Sequence, residues 1–152
     1  MVVVVVSAGR KTISSTQAMR HTMHTSPLYP AWVEASREDL QGALEAVRTR
    51  DLPRLGEVVE ANALGMHATM IASRPSVVYW LPETLDVVHT VRTMRDEGFP
   101  VWATIDAGPN VKVLTARKDA DRVAAVLRDR IPGAATSVRY PGGGVRIEEA
   151  TT

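Results

Sequence analysis

Hydrophobic positions along the chain change period several times. Residues 2–6 are five consecutive valines, a run that reads as a fully buried strand. Ser14, Ser15 and Thr16 then offer N-cap hydroxyls to a short helix ending near Met23. The stretch Thr-Ser-Pro-Leu from residue 25 starts a second helix, with Pro27 near its first turn, where a missing N–H costs little. Trp32, Val33, Leu40, Leu44 and Val47 recur there at helical spacing, and Glu34, Arg37, Glu38 and Glu45 take the other face. Asp51 with Pro53 caps a third helix carrying Leu55, Val58, Val59, Leu64 and Met70. Pro75 and Pro82 punctuate a loop holding Tyr79 and Trp80, and a fourth helix follows from Glu83 to about Glu97, stopped by Gly98.

Beyond Gly98 the period shortens. Residues 99–106 and 111–115 are short β-rich runs separated by a Gly-Pro-Asn turn. An amphipathic helix over residues 119–130 places Val123, Val126 and Leu127 on one side. Residues 137–140 and 145–148 read as closing strands around Gly142, Gly143 and Gly144. Strands at both ends with helices between them predict an α+β sandwich, with a mostly antiparallel sheet packed against helices.

Composition narrows the function classes. A chain of 152 residues with 45% hydrophobic and 23% charged positions suits one domain with a real core. The net charge of +1 and the lack of a basic run with interleaved aromatics give no reason to expect nucleic acid. No cysteine is present, which excludes disulfides, thiolate metal sites and a cysteine nucleophile. The valine run is too short to span a bilayer and no positively charged segment precedes it, so the expectation is a cytoplasmic protein with no membrane partner.

The possible chemistry lies in five groups of residues. His21 and His24 have the spacing of paired metal ligands but no carboxylate completes a motif, and the expectation is no metal site. His67 and His89 stand alone on helices and read as packing residues. The glycine run at 142–144 feeds a strand pattern rather than a helix, so a hairpin turn is favoured over a phosphate cradle. Ser14 and Ser15, with Arg10 and Lys11 just upstream, would suit a phosphate or carboxylate at a helix start, although from the residues alone ordinary capping beside a solvated lysine is the stronger reading. In Thr-Ile-Asp-Ala-Gly-Pro-Asn-Val-Lys-Val-Leu, residues 104–114, Val101, Ala103 and Ile105 alternate to one face, and Trp102, Thr104 and Asp106 share the other. Pro109 and Asn110 suit the centre of a tight turn, Asn110 tolerating a left-handed conformation. Asp106 thus stands at a strand end beside a glycine that permits close approach of a ligand, or else merely starts a turn.

That 104–114 segment closely resembles a signature of mevalonate diphosphate decarboxylase, in the GHMP kinase superfamily. Ile-Ser-Ser-Thr-Gln-Ala-Met (13–19), Thr-Ser-Pro-Leu-Tyr-Pro-Ala-Trp (25–32), Arg-Asp-Leu-Pro-Arg-Leu-Gly-Glu (50–57), Asn-Ala-Leu-Gly-Met-His-Ala-Thr-Met (62–70) and Tyr79-Trp80 agree in the same order. The resemblance covers nearly the whole chain but only the family's C-terminal half, and implies a ferredoxin-like GHMP kinase C-terminal domain over residues 1–152. The N-terminal domain of the family, with its Gly-Ser-rich ATP loop and an arginine for the substrate carboxylate, has no counterpart in these residues. The expectation is therefore a truncated protein, an isolated domain or one piece of a split enzyme, incomplete without an ATP-binding partner.

The resemblance implies an ATP-dependent lyase of isoprenoid biosynthesis. It phosphorylates the tertiary hydroxyl of mevalonate 5-diphosphate, then loses phosphate and carbon dioxide to give isopentenyl diphosphate. Asp106 matches the catalytic aspartate that orients or deprotonates that hydroxyl, Ser15 matches a substrate-contacting serine, the Ala107 N–H would lie near the same substrate, and Arg10 or Lys11 would approach the diphosphate. ATP and Mg²⁺ would be held mainly by the N-terminal domain, and family members form homodimers. Many bacterial members carry arginine where this chain has Thr16, which removes a bidentate diphosphate partner and leaves phosphomevalonate open as substrate. A non-catalytic remnant that dimerises or binds an anion is the competing reading.

Overall fold

The computed structural model describes residues 1–9 and 13–144. Four strands, β1 (Val2–Val5), β2 (Trp102–Thr104), β3 (Val111–Leu114) and β4 (Ala135–Val138), form one sheet in the order β2-β3-β1-β4, with every pairing antiparallel. β1 and β2 therefore run in the same direction with β3 between them, and β3 and β4 do so around β1. Two interleaved split βαβ units of this kind make a ferredoxin-like α+β fold. The first crossover holds α1 (Ser15–Thr25), α2 (Tyr29–Thr49), α3 (Leu52–Ile71) and α4 (Pro82–Asp96), and the second holds α5 (Ala120–Arg130).

One sheet face carries the main core. Val2 and Val4 of β1, Val111 and Val113 of β3, and Val101, Ala103 and Ile105 around β2 pack against Val87, Val91 and Met94 of α4 and Val123 and Leu127 of α5. The valine run is thus not buried throughout. Only Val2 and Val4 are fully enclosed, while Val3 and Val5 are half-buried on the opposite face, because α4 and α5 cover one side of the sheet. Across that second face runs the row Thr104, Lys112, Val3 and Ser137, set by the register of the three ladders.

α3 covers the β2 end of the second face. Gly56 makes this approach possible: a Cβ there would lie 2.0 Å from Cδ2 of Trp102. Glu60, on the next turn of the same stripe, accepts from the Ala103 N–H at 2.7 Å and pairs with Arg95 of α4 at 2.8 Å, and Arg95 also donates to the Val101 carbonyl. A mostly buried carboxylate is tolerable here because a guanidinium and a backbone donor both satisfy it.

Helix ends follow the expected chemistry in part. Asp51 caps α3 by accepting from the Arg54 N–H, and Gly98 takes a φ of 91° just after α4. α2 begins at Tyr29 with Pro30 in its first turn, so Pro27 lies in the preceding turn rather than in the helix. Its apolar stripe is only partly used: Trp32 packs on Gly65, whereas Leu40, Leu44 and Val47 remain 57%, 56% and 61% exposed. The reason is position, since α2 is an outer helix resting mainly on α3. β4 spans Ala135–Val138 instead of residues 137–140, and the strand expected at 145–148 lies outside the described residues.

Candidate active site

A groove of about 680 Å³ opens between α1, α2, α3 and the end of β2. Ser15 and Met19 of α1, Asp106 and Ala107 beyond β2, and Met66 and Met70 of α3 line it, and Trp32 and Leu40 of α2 extend it outward. The expected site residues Asp106, Ser15 and Ala107 are therefore brought to one cavity although roughly ninety residues separate the first two in sequence. Arg10 and Lys11 lie outside the described residues.

At α1 the capping chemistry divides the two serines. Ser14 is the N-cap: its Oγ accepts from the Gln17 N–H at 3.2 Å, and the Gln17 side chain accepts from the Ser14 N–H at 3.4 Å, completing a capping box. Ser15 is left at the first helical position on the groove wall. No acidic residue sits in the first turn of α1, whose Ser15 lines the groove at the positive end of the helix dipole. The Tyr79 hydroxyl donates to the Ile13 carbonyl at 2.8 Å and fixes the approach to that helix start.

Asp106 projects into open space, its side chain 79% exposed, with Lys112 as an ion-pair partner. The bend behind it is tied from several directions. Thr84 of α4 donates to the Pro109 carbonyl at 2.8 Å, and Asn110 Oδ1 accepts from the Val6 and Ser7 N–H groups at 2.9 and 3.1 Å. The left-handed position of the turn falls on Gly108, with φ 76°, and not on Asn110, whose amide is instead the staple to the end of β1. A side chain at Gly108 would also meet Tyr79 Cβ at 3.4 Å.

His67 is buried, with its ring tilted against Trp80 at 5.0 Å, as a packing residue would be. It does more: Nε2 lies 2.7 Å from the Asp106 carbonyl oxygen. Sequence reasoning missed this role, and it missed Glu60. The signal was present, because Gly56, Glu60, Ala63, His67 and Met70 recur at intervals of four and three along the buried face of α3. Polar residues in register with such a stripe must find partners inside. His89, expected to pack, is exposed on α4. His21 donates from Nε2 to the Pro75 carbonyl at 2.7 Å, tying α1 to the loop after α3, and His24 is exposed. Among the described residues no group of three His, Asp or Glu side chains is arranged to hold a metal ion, and no helix is long and apolar enough to cross a membrane.

A family model described as the mevalonate 5-diphosphate decarboxylase C-terminal domain matches residues 1–147. The chain belongs to this family. The solved mevalonate diphosphate decarboxylase of Enterococcus faecalis, described by its mevalonate diphosphate mediated ATP binding mechanism, superposes on 89% of this chain with a TM-score of 0.79 and 35% identity. The diphosphomevalonate decarboxylase of Aspergillus fumigatus is 30% identical over 84% of the chain, and the phosphomevalonate decarboxylase of Haloferax volcanii is 30% identical over 77%. The chain spans about a third of the length of these curated relatives, 32% and 35%, and 41% of the solved one. Within the decarboxylase family this segment is the C-terminal domain.

Proposed function

We propose that this domain forms the mevalonate-binding wall of an ATP-dependent mevalonate 5-diphosphate decarboxylase, and that Asp106 is its catalytic carboxylate. The observation carrying the reading is the exposed carboxylate of Asp106 on a bend tied to three other elements, facing the same groove as Ser15 and Ala107. A tertiary hydroxyl is a hindered nucleophile, so a fixed base that orients it and takes its proton contributes through both positioning and proton transfer. The hydroxyl oxygen then bonds to the γ-phosphorus of ATP and ADP leaves. Loss of the new phosphate breaks the C–O bond, while the electrons of the C–CO₂⁻ bond form the alkene and carbon dioxide departs. Ser15 and the Ala107 N–H hold the anionic substrate at the positive end of α1, and Lys112 offsets the repulsion between Asp106 and that substrate. Magnesium, when bound with the nucleotide, neutralises charge on the phosphates. This reading assigns nucleotide and metal to the ATP-binding half of the family's enzymes, the partner this domain requires.

Asp106→Asn, placed in the domain assembled with an ATP-binding half, is expected to lower carbon dioxide release by about 10²- to 10⁴-fold with an unchanged melting temperature. Undiminished turnover would remove the assignment. The domain alone is expected to turn over no ATP, and a remnant would stay inactive even with its partner supplied.

Two observations favour a monophosphate alternative: Thr16 stands where a bidentate arginine would recognise a diphosphate, and a phosphomevalonate decarboxylase is among the relatives. Comparing kcat/KM for the two substrates decides it. The exposed row Leu40, Leu44 and Val47 supports a homodimer, and the enzyme is proposed to act in the cytoplasm.

A further inference from the structure

We propose that His67 is a positioning residue for Asp106, donating its Nε2–H to the Asp106 carbonyl and thereby fixing the backbone from which the carboxylate projects. This rests on the reading of Asp106 as the catalytic carboxylate.

The β2–β3 ladder ends at the Thr104–Lys112 pair, so the strand pairing that orders β2 stops two residues short of Asp106. What replaces it is α3. Glu60 accepts from the Ala103 N–H at 2.7 Å, and His67 lies at 2.7 Å from the Asp106 carbonyl. Seven residues of helix advance about 10.5 Å and three residues of strand about 10 Å. Two helical turns therefore match the 103–106 interval, and α3 acts as a second, side-chain ladder running beside the end of β2. The two contacts differ in polarity as the backbone demands, a carboxylate meeting an N–H and a ring N–H meeting a carbonyl.

A carbonyl oxygen only accepts, so Nε2 must carry a proton. The ring is held for that purpose: His67 is 2% exposed, and Trp80 covers it at a centroid distance of 5.0 Å. Trp80 also lies beside Gly108, where a Cβ would be 3.6 Å from its Cδ1, so the same packing reaches the left-handed residue of the bend. Without the donated bond, the peptide between Asp106 and Ala107 loses its tie to α3 while Thr84 and Asn110 still hold the far side of the bend, and the carboxylate shifts relative to Ser15. A shift of about 1 Å in a reacting group costs on the order of 100-fold in rate.

The test uses the domain assembled with its ATP-binding half and two variants. His67→Phe keeps the ring against Trp80 but donates nothing. His67→Gln restores an N–H near the Nε2 position. The expected result is that His67→Phe lowers kcat by about 10- to 100-fold with KM within about twofold, and that His67→Gln recovers most of the loss. Unchanged kcat in His67→Phe, or equal losses in both variants, overturns the proposal. A third readout needs neither activity nor a variant: the ¹⁵N spectrum of the wild-type ring at neutral pH is expected to show Nε2 protonated, and an unprotonated Nε2 overturns the proposal. If Asp106 is not catalytic, Asp106→Asn stays active while the ring spectrum still reports the bond, so the two failures are distinguishable.

Discussion

Tyr79 shows how one side chain fixes the groove's other wall. It is buried, its hydroxyl donates to the Ile13 carbonyl, and burial raises its pKa above the ordinary value near 10. The folded state therefore holds the phenolic proton more tightly than the unfolded chain does. The resulting stability is fully present below about pH 10 and is lost as pH rises through the raised folded value. Tyr79→Phe lacks both the bond and the titration. It is expected to be less stable by about 1 kcal/mol at pH 8, with the gap to wild type narrowing above pH 10. Thermal melts of both proteins across pH 8 to 11 check this, and a constant gap contradicts it. At this scale the sequence was readable where a residue type has few uses: Asp51 at a helix start and Gly98 at a helix end. It was half legible at His67, because the stripe on α3 shows that the ring needs a partner but not which one, and that partner lies 39 residues away.

Between elements the decisive contact is α3 against β2. Helix periodicity gave the existence of α3 and its capped start, but not which strand it would face, because a stripe of small and polar residues names no partner. Gly56 encodes that partner through the absence of a side chain. Gly56→Ala forces a methyl group into the Trp102 ring, where backbone lies on one side and the indole on the other. It is expected to cost about 1–3 kcal/mol, read as a lower denaturant midpoint with an unchanged m-value. Wild-type stability would show that α3 stands off from the sheet.

Over the whole molecule, order is unevenly distributed. α4 buries Thr84, Val87, Val88, Val91 and Met94 against the sheet, while α2 fully buries Ala46 alone among its residues. Backbone amides in the second half of α2 are therefore expected to exchange with solvent at least tenfold faster than those of α4. Hydrogen exchange followed by mass spectrometry measures this, and equal protection in dilute solution would mean that something covers Leu40, Leu44 and Val47. The valine run likewise shows the limit of a one-dimensional pattern. Five identical residues predict a strand, but only the layer arrangement decides that Val2 and Val4 face helices and that Val3 does not.

The Asn110 amide has a wider consequence. Its oxygen takes both N–H groups where the chain leaves β1, and its backbone belongs to the bend that carries Asp106. The end of β1 and the bend that presents Asp106 thus share one mooring. Replacing Asn110 with a residue lacking that oxygen would orphan both N–H groups and loosen strand end and bend together.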